Sequence, residues 1–409
     1  MIDVLTFGCR LNALESAAMQ ARAAEAGLTD AVLVNTCAVT AEAVRQARQA
    51  IRRAGRDDPA RPIIVSGCAA QTDPDAFASM PEVTRVLGNA EKRDAASYAD
   101  GPRVQVGDIM RLTRDVPLPA GAIVAGHTRA FVEIQNGCDH RCTFCVIPYG
   151  RGNSRSVPLA DVVARVRALT EAGHTEVVLT GVDITAWGID LGSDARLGTL
   201  VRAILRAVPE LKRLRLSSID SVEADADLLA AIADEERLMP YLHLSLQHGD
   251  DLILKRMKRR HSRADAIRFT DDVRRLRPDV AFGADIIAGF PTESEAAFAR
   301  SLSLVDDCGL TTLHVFPFSP RSGTPAARMP QVNGATIRER AERLRKKGAA
   351  AFAAHLAAEH GRVRPLLVER GGIGRTPQFT PAAIDAAPGA LIAARIIGRD
   401  ARGLIAEAA

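Results

Sequence analysis

The sequence predicts an α/β protein in three parts: an N-terminal parallel α/β domain, a central partial (β/α)6 barrel and a small C-terminal all-β barrel. Three observations predict it. Strand-length apolar runs recur at an interval near thirty residues in the first hundred positions, with helical patterns between them. Six further strand-like runs alternate with helical patterns from about 127 to 330. After Gly361 the pattern changes to short alternating runs separated by Gly and Pro. The expected boundaries are 1–115, 127–358 and 361–409.

A chain of 409 residues fits two to three domains. Its 47 % hydrophobic and 25 % charged residues are ordinary for a soluble globular protein. No apolar run reaches the length of a membrane span. Met1-Ile-Asp-Val-Leu-Thr-Phe7 has no basic segment followed by an apolar one, so no signal peptide is expected. The expected location is the cytoplasm, where thiols stay reduced. The net charge of +4 is a weak sign of a polyanionic partner. Lys occurs at only six positions, and the Arg and Ala excess is most simply a coding bias.

In the first part the runs are Ile2–Phe7, Ala31–Asn35 and Pro62–Gly67, with helical patterns at 12–26 and 40–54. Asn12 followed by Glu15 reads as a capping box and Thr40 as an N-cap. Strand, helix, strand at this period means βαβ units in a parallel sheet. Each run ends one to two residues before a cysteine: Cys9, Cys37 and Cys68. Parallel strands present their carboxyl ends along one edge, where such folds build sites. Cysteines 28 and 31 residues apart can therefore converge. The alternative is three unrelated buried thiols. Gly8, Ala38, Gly67 and Ala69 put small residues beside them. Residues 89–126 hold a short strand-like piece, Arg103–Val106, and a Pro- and Gly-rich stretch at 115–126, and read as a linker.

The second part opens on Asn136-Gly-Cys-Asp-His-Arg-Cys-Thr-Phe-Cys-Val-Ile-Pro148. Cys138, Cys142 and Cys145 stand at C-x3-C-x2-C spacing. Three thiolates on a cubane leave one iron without a protein ligand, open to a substrate or cofactor. The alternative is a zinc completed by His140 or by a distant residue. The strand-like runs are 130–135, 175–180, 213–217, 241–246, 280–287 and 312–316. The helical patterns are 158–172, 197–207, 224–235, 263–277 and 294–307. The cysteine motif follows the first strand and so sits at the carboxyl-end mouth. Thr180 and Asp183, Ser217, Gln247 and Asp285 follow later strands and are candidates for binding a cofactor; each could also be a solvated loop residue. Cys308 reads as a buried structural thiol, His140 as an outer group and Phe144 as packing over the cysteine loop. Lys255–His261 with Arg263, and Arg338–Lys347 on a long helix at 336–360, are basic runs suited to phosphate or to solvated faces. The tail has runs at 363–369, 376–380, 390–397 and 402–406, a small β module that could bind nucleic acid or cap the barrel.

With the cysteines placed, nearly the whole chain resembles the radical S-adenosylmethionine (SAM) methylthiotransferases. The resemblance rests on Asn136–Pro148, His243-Leu-Ser-Leu-Gln-His-Gly249, Asp285-Ile-Ile-Ala-Gly-Phe-Pro291 and Phe316-Pro-Phe-Ser-Pro-Arg-Ser-Gly-Thr-Pro325. The tail is similar to the family's RNA-binding TRAM domain. Thr6-Phe-Gly-Cys-Arg-Leu-Asn12 and Arg215-Leu-Ser-Ser-Ile219 look most like the branch acting on N6-threonylcarbamoyladenosine in tRNA.

The resemblance implies two 4Fe–4S clusters and SAM. Cys138, Cys142 and Cys145 would hold the cluster that binds and cleaves SAM to a 5′-deoxyadenosyl radical. The radical would take hydrogen from C2 of the modified adenosine at position 37. Cys9, Cys37 and Cys68 would hold the cluster that presents the inserted sulfur, and a second SAM would supply the methyl group. An aromatic C–H is too inert for acid–base chemistry, so a cofactor must carry the step. Implied partners are the tRNA anticodon loop and an electron donor such as a flavodoxin or ferredoxin, with no membrane and no DNA. The alternatives are the sibling substrates, isopentenyladenosine in tRNA or an Asp of ribosomal protein S12, and a two-cluster electron carrier. Polar residues at several strand ends argue against a mere carrier.

Overall fold

The computed structural model describes residues 1–119, 122–124 and 126–409. Strands covered by helices on both faces must be apolar throughout. β2 (Ala31–Thr36) and β3 (Ile63–Gly67) are buried at every position. With β1 (Ile2–Thr6), β4 (Arg85–Leu87) and β5 (Val104–Gln105) they form a parallel sheet in the order β1-β2-β3-β4-β5. On one face α1 (Arg10–Glu25) packs Met19 and Ala23 on Leu33 and Ile64. On the other, α2 (Ala41–Asp57) packs Ile51 on Val32, Val34 and Val65. α3 (Cys68–Thr72) and α4 (Pro74–Ala78) complete that side. Thr6 pairs with Asn35 and Thr36 with Gly67. The residues after these ends are the three cysteines, so they share one sheet edge.

Two expectations for this region are corrected. The 89–126 stretch is not all linker: β5 pairs with β4 and widens the sheet, through a pairing too short to show as a periodic pattern. Of its Pro- and Gly-rich part, Ala120, Gly121 and Ala125 lie outside the described residues. Asn12 and Glu15 do not form a capping box, because the helix starts earlier, with Cys9 at its N-cap. Asn12 instead donates to the Phe7 carbonyl at 2.7 Å and the Thr36 carbonyl at 3.1 Å, and Glu15 is buried. Thr40 does cap α2, accepting from the Ala43 N–H at 3.1 Å.

The central region begins with β6 (Ala130–Glu133). The cysteine loop and α5 (Ile147–Arg151) lie between the two strands of a short antiparallel pair, β7 (Gln135–Asn136) and β8 (Arg155–Ser156). β9 (Glu176–Thr180) and β10 (Arg213–Leu216) extend β6 into a three-stranded parallel sheet. β11 (Tyr241–Gln247), β12 (Ala281–Ala288) and β13 (Leu310–Pro317) form a second one. Isolated parallel bridges, Leu214 to Leu238 and Ile219 to Leu244, join the two sheets into a partial barrel of six strands. Around it run α6 (Leu159–Glu171), α7 (Leu197–Ala207), α8 (Ala226–Asp234), α9 (Asp251–Met257), α10 (Arg263–Leu276), α11 (Glu295–Asp307) and α12 (Gly334–Ala358). Leu214, Leu216, Leu242, Leu244, Leu246, Phe282 and Ala284 join the core beneath these helices. The period-2 alternation of strands then turns Arg213, Arg215, Tyr241, His243, Ser245, Gln247, Gly283 and Asp285 to the inner face. Leu14 and Ala18 of α1 pack on Phe131 and Val178, which docks the first domain against the barrel.

The tail is a closed barrel of β14 (Val363–Glu369), β15 (Ile373–Arg375), β16 (Pro381–Ala383), β17 (Leu391–Arg399) and β18 (Leu404–Ala408). The expected strand at 376–380 is instead the connection between β15 and β16. Its carbonyls serve the barrel rather than a sheet: Arg215 donates to the Pro377 carbonyl at 2.7 Å and the Thr376 carbonyl at 2.9 Å.

Candidate active site

The cysteine loop is fixed by its neighbours. Gln135 donates to the carbonyls of Asn136 and Gly137 and accepts from the N–H groups of Val182 and Asp183, at 2.8–3.1 Å. Gly137 has φ of +71°, and a Cβ there would fall 1.9 Å from the Asn153 carbonyl oxygen. Only glycine fits the turn that starts the motif. Cys138, Cys142 and Cys145 open on a cleft of about 670 Å³, which Asp183, Gln247 and Arg259 also line.

The five residues expected to bind a cofactor divide. Asp183 and Gln247 line the cleft, with the Asp183 carboxylate 3.8 Å from the Cys138 sulfur. Thr180 and Ser217 do not. Thr180 is buried under the strand end, its carbonyl accepting from the Ile134 N–H at 2.9 Å. The Ser217 hydroxyl is buried and has no hydrogen-bond partner among the described residues, while its neighbour Ser218 faces the cleft. Asp285 lies elsewhere on the inner face and accepts from His243 Nε2 at 2.8 Å and His314 Nδ1 at 3.2 Å. Burial would raise the Asp285 pKa, but the two histidine bonds outweigh it and hold the carboxyl down at about 2.

Arg259 is a residue that the reading of the sequence missed, because it sits in a basic run that resembles a solvated face. It donates to Asp220 and to the Ser245 carbonyl, both at 2.7 Å, and lies 3.8 Å from the Cys142 sulfur. Burial opposes its charge, yet Asp220 and Cys142 hold its pKa above the ordinary value. The neighbouring Arg260 pairs with Glu223, and His261 is buried against the Leu246 carbonyl. Lys255, Lys258 and Arg260 of this run stay exposed, while His261 is buried and Arg259 turns to the cleft.

The second trio faces the first. Cys37 and Cys68 are buried and Cys9 is exposed. A Cβ on Gly8, whose φ is +103°, would fall 2.9 Å from the Cys37 sulfur. Arg151 of α5, six residues after Cys145, crosses between the domains. Its Nε lies 3.2 Å from the Cys68 sulfur, and its other nitrogens bond Glu15 at 2.8 and 3.0 Å, Asn12 at 2.5 Å and Asn136 at 3.1 Å. Glu15 also pairs with Lys92 at 2.7 Å and Arg93 at 3.0 Å, all with side chains at most 3 % exposed. Burial alone would protonate Glu15; Arg151, Lys92 and Arg93 reverse that and hold its pKa well below the usual range.

The thiols fit iron better than zinc. Among the described residues, no group of three or more His, Cys, Asp and Glu whose ligand atoms all lie within 4.8 Å of one another includes two of the six cysteines, so neither trio is gathered to that spacing. Sulfurs on one tetrahedral zinc stand about 3.8 Å apart, so each trio is spread for a larger group. Burial pushes the pKa of Cys37 up to about 11 and of Cys145 up to about 12, and raises Cys138 further. Buried thiols like these become thiolates when a cation sits among them. The Val39 and Ile147 N–H groups point at the Cys37 and Cys145 sulfurs at 3.5 and 3.4 Å, as donors to cluster thiolates do. His140 and Asp183 stand with Cys138, their ligand atoms all within 4.8 Å of one another, so only one thiol of the trio shares that spacing. The His140 Nε2 lies 2.9 Å from Asp183 and 3.5 Å from Glu223, and these carboxylates raise its pKa to about 10. Cys308 caps α11 with its side chain fully buried, as expected of a structural thiol. Phe144 packs edge-on against Phe290.

Residues 132–305 match the Radical SAM superfamily and residues 1–88 the uncharacterized protein family UPF0004. The chain is 46 % identical over 399 residues to a threonylcarbamoyladenosine tRNA methylthiotransferase, MtaB, of Rickettsia prowazekii (strain Madrid E), covering 97 % of this chain and 94 % of that protein. It is 34 % identical to the protein of the same name from Bacillus subtilis (strain 168), covering 83 % and 78 %. It is also 34 % identical to the tRNA-2-methylthio-N(6)-dimethylallyladenosine synthase of Erythrobacter litoralis (strain HTCC2594), covering 91 % and 89 %. Among solved structures, the radical SAM methyltransferase TsrM of Kitasatospora setae superposes with a TM-score of 0.53 at 18 % identity, over 76 % of this chain and 66 % of that one, a likeness of fold. Together with the barrel and its cysteine-lined mouth, these matches show that the chain belongs to the family of radical SAM tRNA methylthiotransferases.

Proposed function

We propose that this protein converts N6-threonylcarbamoyladenosine at position 37 of tRNA to its 2-methylthio derivative. The observation that carries the reading is the meeting of two three-thiol sets, joined by Arg151, inside a chain 46 % identical to a relative named for this reaction. Cys138, Cys142 and Cys145 hold one 4Fe–4S cluster and Cys9, Cys37 and Cys68 the other. When bound, these groups and SAM supply a carbon radical strong enough to take an aromatic hydrogen, and the sulfur that replaces it.

The chain's own residues bind and orient. Asp183, Gln247 and the Ser218 hydroxyl offer polar contacts to SAM in the cleft, and Val182, Ile147 and Phe144 give it apolar walls. Arg259 supplies positive charge beside Cys142, and Arg151 does the same beside Cys68. Glu15 keeps Arg151 in place. The tRNA enters through its anticodon loop, with the tail barrel adding RNA contacts. The enzyme works in the cytoplasm with a one-electron donor of the flavodoxin or ferredoxin class. The domains carrying these roles are residues 1–115, 127–358 and 361–409.

The test is anaerobic reconstitution followed by assay on tRNA carrying N6-threonylcarbamoyladenosine. About eight irons per chain are expected from two four-iron clusters. Near four irons, or product only from tRNA carrying the dimethylallyl group, counts against the proposal.

A further inference from the structure

Beside Cys9, at the floor of the barrel's inner face, positive charge is in excess. The Phe379 ring lies beneath four guanidiniums, those of Arg10, Arg129, Arg215 and Arg375, at 5.5, 4.7, 5.1 and 4.8 Å from its centroid. Phe379 holds φ of +66°, a strained backbone for a bulky residue, and Tyr241 lies against its ring at 5.6 Å between centroids. Strain of this kind persists where surrounding structure enforces it, often at binding sites.

Most of these cations are already matched. Arg215 bonds Glu176 at 2.7 Å and two tail carbonyls. Arg213 lies 3.6 Å from the same carboxylate. Arg129 and Arg375 share Glu369 at 2.8 and 3.1 Å. Five guanidiniums thus face two carboxylates. Arg10 is the one left over: among the described residues it has no hydrogen bond and no ion pair, only the ring of Phe379. Arg10 is half-buried, and a partly desolvated cation without a counter-ion of its own favours an anion brought to it by a ligand.

Position selects which anion. Arg10 follows a proposed ligand of the second cluster and stands among inner-face residues, where the substrate base must lie for sulfur to reach it. The threonylcarbamoyl group carries one ionised group, the threonine carboxylate; a dimethylallyl group carries none. We infer that Arg10 binds the threonine carboxylate of the substrate's threonylcarbamoyl group, as the residue that distinguishes this modified base from uncharged ones. Arg is suited to the task because its planar fork meets both carboxylate oxygens. The Phe379 ring, with Tyr241 against it, covers part of the Arg10 guanidinium. This inference rests on the substrate reading above and adds the contact that enforces it.

The test uses anticodon stem-loop RNA bearing N6-threonylcarbamoyladenosine as the free acid and as its methyl ester. Binding and turnover are measured for the reconstituted full chain, Arg10→Gln and Arg10→Lys, with iron content checked in each. The wild-type protein is expected to prefer the acid over the ester by at least about 30-fold, the low end of the scale for truncating a desolvated charge pair. Arg10→Gln is expected to bind both forms equally, and Arg10→Lys to keep part of the preference. The acid-to-ester ratio cancels any general effect of the substitution on the adjacent cluster. An Arg10→Gln protein that keeps the wild-type ratio overturns the inference, as does equal weakening toward both forms, which marks a phosphate contact or a structural role. A wild-type protein inert toward the acid overturns the substrate reading instead.

Discussion

Arg151 is surrounded by groups that only a fixed positive charge can satisfy. Its neighbours are the Cys68 sulfur, the buried Glu15 carboxylate and two amide oxygens. Removing one member of such a buried set leaves the others uncompensated, at a cost of about 3–5 kcal/mol. Glu15→Gln deprives Lys92 and Arg151 of their carboxylate, while Arg93 keeps Glu133 at 2.6 Å, and it is expected to destabilise the protein more than Arg151→Lys, which keeps the charge. Chemical denaturation of the two variants checks the order. At Gly8 the constraint is steric: Gly8→Ala sets a methyl 2.9 Å from the Cys37 sulfur on a backbone with φ of +103°. Iron content is expected to fall from about eight toward about four per chain, since only the second cluster is affected.

Asp285 gives a pH dependence with a definite sign. Its folded pKa, about 2, is below the ordinary 3.8, so its contribution is present above pH 4 and is lost as pH falls through 2. The size is about 2 kcal/mol. Asp285→Asn should therefore narrow the stability gap to wild type as pH drops from 5 toward 2. A gap that stays constant down to pH 2 contradicts the assignment of that shift to the histidine bonds.

At the scale of elements, local chemistry sets most boundaries. Thr40 caps α2, and Thr40→Ala should cost about 1 kcal/mol in thermal unfolding. Alternation and capping made the six barrel strands, the long α12 and the first three strands of the parallel sheet legible in the sequence. What stayed hidden was short or non-local. β5 is two residues long and exists through its pairing with Leu87 and Val86. The segment 376–380 has strand-like composition, but Arg215 on a distant strand draws its carbonyls into a turn. Asn12 and Glu15 have the spacing of a cap, yet the helix begins before them and buries them against Arg151.

The same division holds for the site. Cysteine spacing and strand order exposed the six thiols, because parallel strands bring their ends to one edge. The charged residues around them were not legible: Arg259 and Arg151 look like solvated side chains until the fold carries them to Cys142 and Cys68. Strand-end position also brought in residues that do not reach the cleft, since Thr180 and Ser217 turn into the packing beneath it.

At the scale of the whole molecule, the first domain and the barrel meet so that one thiol set lies opposite the other, and the tail closes the floor with Phe379. The proposed function gives the two sets different work. Cys138→Ala is expected to abolish reductive SAM cleavage. Cys68→Ala is expected to retain cleavage while sulfur insertion stops, as read by deoxyadenosine formation and by product. Loss of cleavage in both, with folding intact, contradicts separate roles. The central claim concerns the substrate, and nucleoside mass spectrometry of tRNA from cells lacking this gene tests it most directly. The account predicts that 2-methylthio-N6-threonylcarbamoyladenosine disappears, that its unmodified precursor accumulates and that the gene restores it. Persistence of the methylthio nucleoside in cells with no second enzyme for it contradicts the account.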